Sequence, residues 1–315
     1  MFANRLGVAL RKSSTAVGGG GKREIKHGRA ASVSLRSTVA LGGVVAAVVL
    51  LGGARSGNAA FMSSSAAASS SSAAAAAGAV RRELAEGHPK PVVLNNTPKA
   101  TAVMLITHGL GDTADGWLDI AEELAEQLPH VKFVLPTAKT QPVTLNGGER
   151  MPSWYDIVGL QSRATETCDG IEDSREYLTE LARVSMPPGV GFERLILGGF
   201  SQGGAMSIYT GLQLQEAIAG VVSLSGYLPN ARKFRVSEQA KKTPVFMAHG
   251  THDGVVQYTW ALDTEKEIRD QGVESVTFKT YRGMGHSAVP EEIRDLFMFV
   301  KARLPPIPVR SEELR

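Results

Sequence analysis

The pattern of apolar and polar residues beyond about residue 90 alternates short apolar runs with helical stripes. A short apolar run predicts a buried strand at 101–107, and further strands are predicted at 131–135, 194–197, 220–224, 244–248 and 276–281. Helices are predicted between and after them, at 117–128, 202–215, 257–271 and 293–304. Strands that alternate with helices predict an α/β fold, in which helices cover both faces of a mostly parallel sheet.

The first 62 residues have a different pattern, which predicts a targeting or anchoring leader. An uncharged stretch of 18 residues lies between Arg36 and Arg55, near the lower limit of about 17 for a membrane-spanning helix. Basic residues precede this stretch and small residues follow it as far as Ala60, as in a signal sequence. We therefore predict that residues 1–62 form a leader that is either cleaved near Ala60 or retained. If it is retained, residues 38–54 would associate with a membrane.

Three residues at the end of this leader leave its destination open. Ala59-Ala60-Phe61 resembles the cleavage site of the two-part plastid leaders of algae with complex plastids. The secretory route, a plastid and a membrane anchor are all compatible with the leader, and translation from Met62 is the alternative. Residues 63–88 are Ser/Ala-rich and bury little apolar surface, so they are predicted to be a disordered linker. The folded domain is expected at 89–308.

Charge and cysteine content exclude two classes of function. Residues 1–60 carry a formal charge of +8, so the rest of a chain with net charge +3 is acidic, at −5. The body has no basic stripe with interleaved aromatic residues, the pattern that would indicate nucleic-acid binding. Cys168 is the single cysteine, which excludes an intrachain disulfide and a cysteine metal site. We expect Cys168 to be a packing or surface residue.

The strongest chemical signal in the chain is Gly199-Phe200-Ser201-Gln202-Gly203. This G-x-S-x-G sequence follows a predicted strand and precedes a predicted helix, which is the context of a nucleophile elbow. The turn is so tight that only glycines at 199 and 203 let the neighbouring backbone approach, and the serine hydroxyl is presented at the N-terminus of a helix. Ser201 is therefore the candidate nucleophile.

A serine hydroxyl needs a general base, and the base needs an acid to orient it. In this arrangement the acid and then the base follow the serine along the chain, each after a strand. Asp253 follows the predicted strand at 244–248, and His286 lies in the Gly-rich loop after the strand at 276–281. Asp253 and His286 are therefore the candidate acid and base.

Other titratable residues compete for these two roles. His249 and His252 precede the acid, which breaks the chain order. We interpret His249 as a packing residue at a strand end and His252 as exposed. Asp263 and Asp270 lie on a predicted helix that faces away from the site.

An oxyanion hole needs two inward-facing N–H groups. One comes from the residue after the nucleophile, Gln202, and the other from the loop after an early strand. That loop begins at His108, and its glycines on either side of Leu110 free the backbone to turn the Leu110 amide inward. Asp112 is expected to tie this loop by hydrogen bonds, with His108 in a supporting role rather than as a base.

Six ordered segments resemble the acyl-protein thioesterase (lysophospholipase/carboxylesterase) family of α/β-hydrolases. They are His108–Trp117, Gln141–Asn146, Met151–Ile157, Leu197–Gly204, His249–Val256 and Thr277–Ser287. The resemblance implies the α/β-hydrolase fold, the triad Ser201, Asp253 and His286, and oxyanion donors at Leu110 and Gln202. It also implies that the 136–160 segment frames an acyl channel, with Trp154 either at that channel or packed in the core. Gly254 and Ala114-Asp115 depart from the family pattern.

The resemblance implies two-step acyl transfer that needs no metal or cofactor. S-palmitoylated proteins are the implied substrates, and a general carboxylesterase that cleaves small acyl esters or lysophospholipids is the alternative. An inactive, membrane-tethered binding module is a third hypothesis, against which the intact triad argues. The family is cytoplasmic by default, whereas the leader predicts an organelle or a membrane. The oligomeric state is not predicted.

Overall fold

The computed structural model describes residues 86–160, 162 and 166–307. The predicted leader, its membrane association through residues 38–54 and most of the predicted linker lie outside the described residues and stay predictions. Along the described part of the chain, no helix combines the length and the apolar character needed to cross a membrane.

The strands form one large sheet and one hairpin. In chain order they are β1 (Val92–Leu94), β2 (Ala102–Thr107), β3 (Val131–Leu135), β4 (Thr140–Val143), β5 (Glu149–Pro152), β6 (Leu195–Phe200), β7 (Gly220–Leu224), β8 (Val245–Gly250) and β9 (Val276–Tyr281). β4 and β5 form the hairpin, and the others form a sheet in the order β1-β3-β2-β6-β7-β8-β9. β1 runs antiparallel to β3, and the remaining pairs are parallel. The carboxyl ends of β2, β6, β8 and β9 therefore meet at one edge.

Helices cover both faces of the sheet. They are α1 (Leu118–Gln127), α2 (Ile171–Ser185), α3 (Gln202–Gly211), α4 (Tyr258–Asp270) and α5 (Pro290–Arg303). Buried residues of α2, α3 and α4 share one apolar cluster with Leu105, and those of α1 and α5 share a second cluster with Met104. Because neighbouring residues of β2 point to opposite faces and helices cover both faces, all six residues of the strand are buried, and all but Thr107 are apolar. This arrangement confirms the predicted α/β fold.

Several elements differ from the predicted pattern. α2 was not among the predicted helices, although Ile171, Leu178 and Ala182 are buried at helical spacing along it. The short strands β1, β4 and β5 were also not predicted. β6 continues to Phe200, beyond the predicted end at 197, because the glycines at its end still pair with β2 and β7. α3 ends at Gly211, before the predicted end at 215.

The packed part of the chain includes His88, the last residue of the predicted linker. Its Nδ1 lies 3.3 Å from the Thr137 carbonyl oxygen, and its ring stacks on Tyr177 with 3.7 Å between centroids. Burial lowers the pKa of His88 to about 4, so its ring is neutral near pH 7. The chain is thus held against the domain at His88.

Glu292 is a buried acid in the first turn of α5, and it should make the stability of the domain depend on pH. Its side chain is 0% exposed, and burial raises its pKa from 4.5 to about 8. Between those two values the folded state holds a proton that the unfolded chain has lost, so stability falls as pH rises from about 4.5 to about 8. We expect Glu292→Gln, which cannot titrate, to be more stable than the wild type at pH 8 by about 2 to 4 kcal/mol.

Thermal unfolding at pH 5 and pH 8 measures this difference. The gain of Glu292→Gln over the wild type should be several degrees larger at pH 8 than at pH 5. Glu291→Gln is the matched control, because Glu291 lies in the same turn and is exposed. An equal gain at both pH values would contradict the assignment of Glu292 as a buried, neutral acid.

Candidate active site

Ser201 lies in the turn between β6 and α3, where the elbow was predicted. Its backbone has φ 54° and ψ −120°, a conformation that costs a residue other than glycine about 1 to 3 kcal/mol. The Ser201 N–H donates to the Leu224 carbonyl oxygen of β7 at 2.8 Å, which holds the turn in place. The hydroxyl is thereby presented at the N-terminus of α3.

The elbow is packed so tightly that its glycines have no room for a side chain. A Cβ on Gly203 would lie 2.2 Å from the Thr107 carbonyl oxygen, and one on Gly199 would lie 2.1 Å from the Thr107 hydroxyl oxygen. That hydroxyl lies 2.9 Å from the Gly203 carbonyl oxygen and so supports the turn from below. Sequence reasoning missed Thr107, whose only signal is its position at the end of β2.

The structure brings Ser201, His286 and Asp253 together in one hydrogen-bonded chain. His286 Nε2 lies 2.9 Å from Ser201 Oγ, and His286 Nδ1 lies 2.8 Å from Asp253 Oδ2. The Asp253 carboxylate is fully buried, whereas the His286 side chain is 17% exposed. Solvent can therefore reach the His286 ring, whereas the Asp253 carboxylate is shielded from water. This geometry is the one that general-base activation of a hydroxyl requires.

Hydrogen bonds to both carboxylate oxygens keep Asp253 charged. Burial alone would raise its pKa, but hydrogen bonds from His249 and His286, the charge of His286 and the Val255 N–H hold the pKa well below its usual range. Oδ1 accepts the N–H groups of Val255 and Val256, both at 2.9 Å. Asp253 is therefore an anion near neutral pH.

The loops that carry Asp253 and His286 pack directly on each other. A Cβ on Gly250, at the end of β8, would lie 2.1 Å from the Met284 carbonyl oxygen. The His252 N–H donates to the same carbonyl oxygen at 3.0 Å. These contacts fix the separation between Asp253 and His286, which lie 33 residues apart in the chain.

The competing histidines and carboxylates lie at different distances from this site. His252 is exposed and bonds to the neighbouring Thr251 hydroxyl, and Asp263 and Asp270 are exposed on α4. His249 is buried, but its Nε2 lies 3.2 Å from Asp253 Oδ2. The interpretation of His249 as a packing residue alone is therefore incomplete, because it contacts the carboxylate.

The loop after β2 is held by the two residues predicted to support it. His108 Nε2 accepts the Ala138 N–H at 3.0 Å, and its Nδ1 lies 2.7 Å from the Gly109 carbonyl oxygen. Burial lowers the pKa of His108, so its ring is neutral and both nitrogens are engaged. Asp112 Oδ1 accepts the Thr113 N–H at 2.7 Å and ties the loop.

The two predicted oxyanion donors lie in two segments next to Ser201: Gln202 at the start of α3, and Leu110 in the loop after β2. Gln202 is the first residue of α3, so its N–H is among those that have no acceptor inside the helix. Leu110 follows Gly109, whose Cβ would lie 3.3 Å from Ser201 Cβ. The loop after β2 therefore lies against the elbow, with the Leu110 side chain half-buried against the core.

Trp154 lies beneath these two segments rather than on an open surface. It is 0% exposed, which agrees with the core-packing interpretation, since no indole surface is left to line a channel. Its Nε1–H donates to the His108 carbonyl oxygen at 2.9 Å, and its backbone N–H donates to Gln202 Oε1 at 3.0 Å. Gln202 Nε2 donates to the Tyr155 carbonyl oxygen at 2.8 Å. Trp154 thus ties the segment after the hairpin to both predicted oxyanion segments.

Cys168 is buried, and burial raises the pKa of its thiol, so it is a packing residue rather than a second nucleophile.

Within residues 86–160, 162 and 166–307, no group of three His, Cys, Asp or Glu side chains is arranged to hold a metal ion.

The described fold and site coincide with a known family. Residues 88–304 match the family described as Phospholipase/Carboxylesterase. The chain belongs to this family. Membership confirms the resemblance carried by the six segments, the α/β-hydrolase fold, and activity as a carboxylic ester or thioester hydrolase.

Members of the phospholipase/carboxylesterase family that resemble this chain include acyl-protein thioesterases. Acyl-protein thioesterase 1 of Neurospora crassa is 38% identical over 234 residues, which cover 71% of this chain and 95% of that protein. Acyl-protein thioesterase 1 homolog 1 of Dictyostelium discoideum is 39% identical, over 65% of this chain and 92% of that protein. The crystal structure of Zea mays acyl-protein thioesterase 2 has a TM-score of 0.62 at 29% identity, over 68% of this chain and 99% of that chain.

Proposed function

We propose that this hydrolase removes palmitoyl groups from S-acylated cysteines of proteins, with Ser201 as nucleophile, His286 as general base and Asp253 as orienting acid. The observation that carries the proposal is the hydrogen-bonded chain from Asp253 through His286 to Ser201, at 2.8 and 2.9 Å. The substrate class is supported by the relatives named acyl-protein thioesterase.

The triad geometry supports a two-step acyl transfer. His286 Nε2 takes the proton from Ser201 Oγ as this oxygen bonds to the thioester carbonyl carbon. The tetrahedral intermediate then collapses and the C–S bond breaks. The sulfur takes the proton from His286 and leaves as a thiol. Water loses a proton to His286 and attacks the acyl-enzyme, which releases the fatty acid and restores Ser201. Asp253 stabilises the imidazolium that forms in both steps.

Backbone amides around the elbow support Leu110 and Gln202 as the oxyanion donors. The N–H groups of Ser201, Gly111 and Asp112 donate to the carbonyl oxygens of Leu224, Pro152 and Gly109, respectively. Among the described residues, the Leu110 amide has no such acceptor. An amide that is fixed in the loop beside Ser201 can stabilise a developing oxyanion without reorganisation.

A general carboxylesterase is the second candidate, because the family description covers phospholipases and carboxylesterases. The two candidates differ in how much of the acyl chain the protein removes from water. Each buried CH₂ contributes about 0.8 kcal/mol, which is about a fourfold increase in kcat/KM for every added methylene that the protein covers.

A series of p-nitrophenyl esters from acetate to laurate, together with an S-palmitoylated peptide, separates the two candidates. We expect kcat/KM to rise with chain length by about fourfold per CH₂ up to the length of acyl chain that the protein covers, and the peptide to lose its palmitoyl group. The Ser201→Ala variant is the control for spontaneous hydrolysis. Turnover of acetate and butyrate alone would contradict the depalmitoylase proposal and favour the carboxylesterase.

A further inference from the structure

His249 contacts the triad through Asp253. It is the fifth residue of β8 and is 1% exposed. Its Nε2 lies 2.9 Å from the Val256 carbonyl oxygen and 3.2 Å from Asp253 Oδ2, the oxygen that also faces His286. Both neighbours of Nε2 are acceptors, so this nitrogen carries a proton that it shares between them.

The other nitrogen of His249 shows which charge the ring carries. Nδ1 is buried and has no hydrogen-bond partner among the described residues. A doubly protonated ring would place an N–H donor there without an acceptor, which is costly in a buried site. The neutral ring with its proton on Nε2 fits these surroundings. A neutral donor can hold the Asp253 carboxylate without cancelling the negative charge that His286 needs.

The ring and the carboxylate are both held in place by the acid loop. Asp253 Oδ1 accepts the Val255 and Val256 N–H groups, and the Val256 carbonyl oxygen accepts from His249. The Tyr258 ring packs edge-on against His249 with 6.1 Å between centroids. His249 thus opposes rotation of the carboxylate, and this rotation would move Oδ2 away from His286 Nδ1.

We propose that His249 is a positioning residue for the acyl-transfer reaction, in which its Nε2–H holds Asp253 Oδ2 in line with His286. The inference rests on the proposed triad and adds a fourth side chain to it. His249 does not exchange a proton with the substrate. It acts through Asp253, so its loss should affect the chemical step more than substrate binding.

Two substitutions separate positioning from packing. His249→Phe keeps an aromatic ring of similar size and removes the donor, whereas His249→Gln keeps an N–H donor. We expect His249→Phe to lower kcat by about 10- to 100-fold, the range for losing one hydrogen bond to a charged group, with KM changed less than about threefold. His249→Gln should recover most of the loss. His130→Phe is the matched control, since His130 lies just before β3, at the amino ends of the strands, and bonds to the Leu304 carbonyl oxygen there; it should keep full kcat.

Equal losses in His249→Phe and His249→Gln would reduce His249 to a packing residue, and full kcat in His249→Phe would overturn the proposal outright. Ser201→Ala, assayed in parallel, separates this failure from failure of the proposed function. An inactive wild type, or an active Ser201→Ala, contradicts the triad itself. An active wild type with an inactive Ser201→Ala and an unaffected His249→Phe contradicts only the role of His249.

A measurement on the wild type tests the proposal even if the variants do not fold. Nitrogen NMR of histidine-labelled protein at pH 7 distinguishes the two neutral tautomers and the charged ring. The proposal predicts a neutral His249 with its proton on Nε2. A proton on Nδ1, alone or in a charged ring, would contradict it.

Discussion

Replacing Ser201 with alanine should lower kcat by at least about 10⁴-fold and leave the fold intact. Without the hydroxyl no acyl-enzyme forms, and the remaining amides and bound water give only residual catalysis. Alanine has the same backbone strain at φ 54° as serine, so we expect the melting temperature to change by less than about 2 °C. Ester hydrolysis under saturating substrate, together with thermal unfolding, measures both effects.

Ser275→Ala is the matched control for this substitution, because Ser275 is exposed and removed from the site. It should keep full activity and stability. Activity in Ser201→Ala close to that of the wild type would favour another nucleophile. Inactivity of both proteins would favour the hypothesis of an inactive binding module.

Gly203→Ala should lower the free energy of unfolding by about 3 kcal/mol or more, which is more than a substitution of a solvent-exposed residue usually does. The added Cβ would lie 2.2 Å from the Thr107 carbonyl oxygen and 2.6 Å from the His108 carbonyl oxygen. Both are backbone atoms, which cannot move without displacing β2 or the loop beside Ser201. For a domain of this size, such a loss lowers the melting temperature by about 6 to 12 °C. Activity should fall as well, since the elbow and the loop with Leu110 move apart.

Gly254→Ala is the control for Gly203→Ala, because a Cβ on Gly254 has no atom within 4 Å. Gly254 is also where the sequence departs from the family pattern. We expect its melting temperature and kcat to stay close to those of the wild type. If Gly203→Ala were as stable as Gly254→Ala, the elbow would have room for a side chain at position 203, which contradicts the structure.

The convergence of Ser201, Asp253 and His286 could be predicted from the sequence because each lies in the turn or loop that follows a strand. Parallel strands place their carboxyl ends at one edge, so chain order alone brings Ser201, Asp253 and His286 to the same place. The packing between them was not predictable in this way. Chain order excluded His249 as the base, but only the tertiary structure shows that its Nε2 lies 3.2 Å from Asp253 Oδ2. Thr107 was missed for the same reason, since it meets the elbow across 96 residues of chain.

The fold was predictable where the apolar pattern is regular. All six predicted strands are present in the sheet, and β2, β7 and β8 are buried along their whole length. The hairpin strand β4 was missed because Thr140–Val143 is mostly polar or exposed and contains Pro142, which depletes its strand signal. α2 has a usable stripe, but polar Ser174 occupies one of its buried positions and weakens the pattern. Trp154 could be assigned to core packing only once its full burial was known.

The central claim is that His286 activates the Ser201 hydroxyl, and covalent labelling tests it most directly. A fluorophosphonate reacts with an activated serine, forming a P–O bond and releasing fluoride. Peptide mass spectrometry of the labelled wild type should place a single adduct on Ser201. The labelling rate should fall by about 10³-fold or more in His286→Ala. An adduct on a different residue, or a rate that His286→Ala leaves unchanged, would contradict the claim.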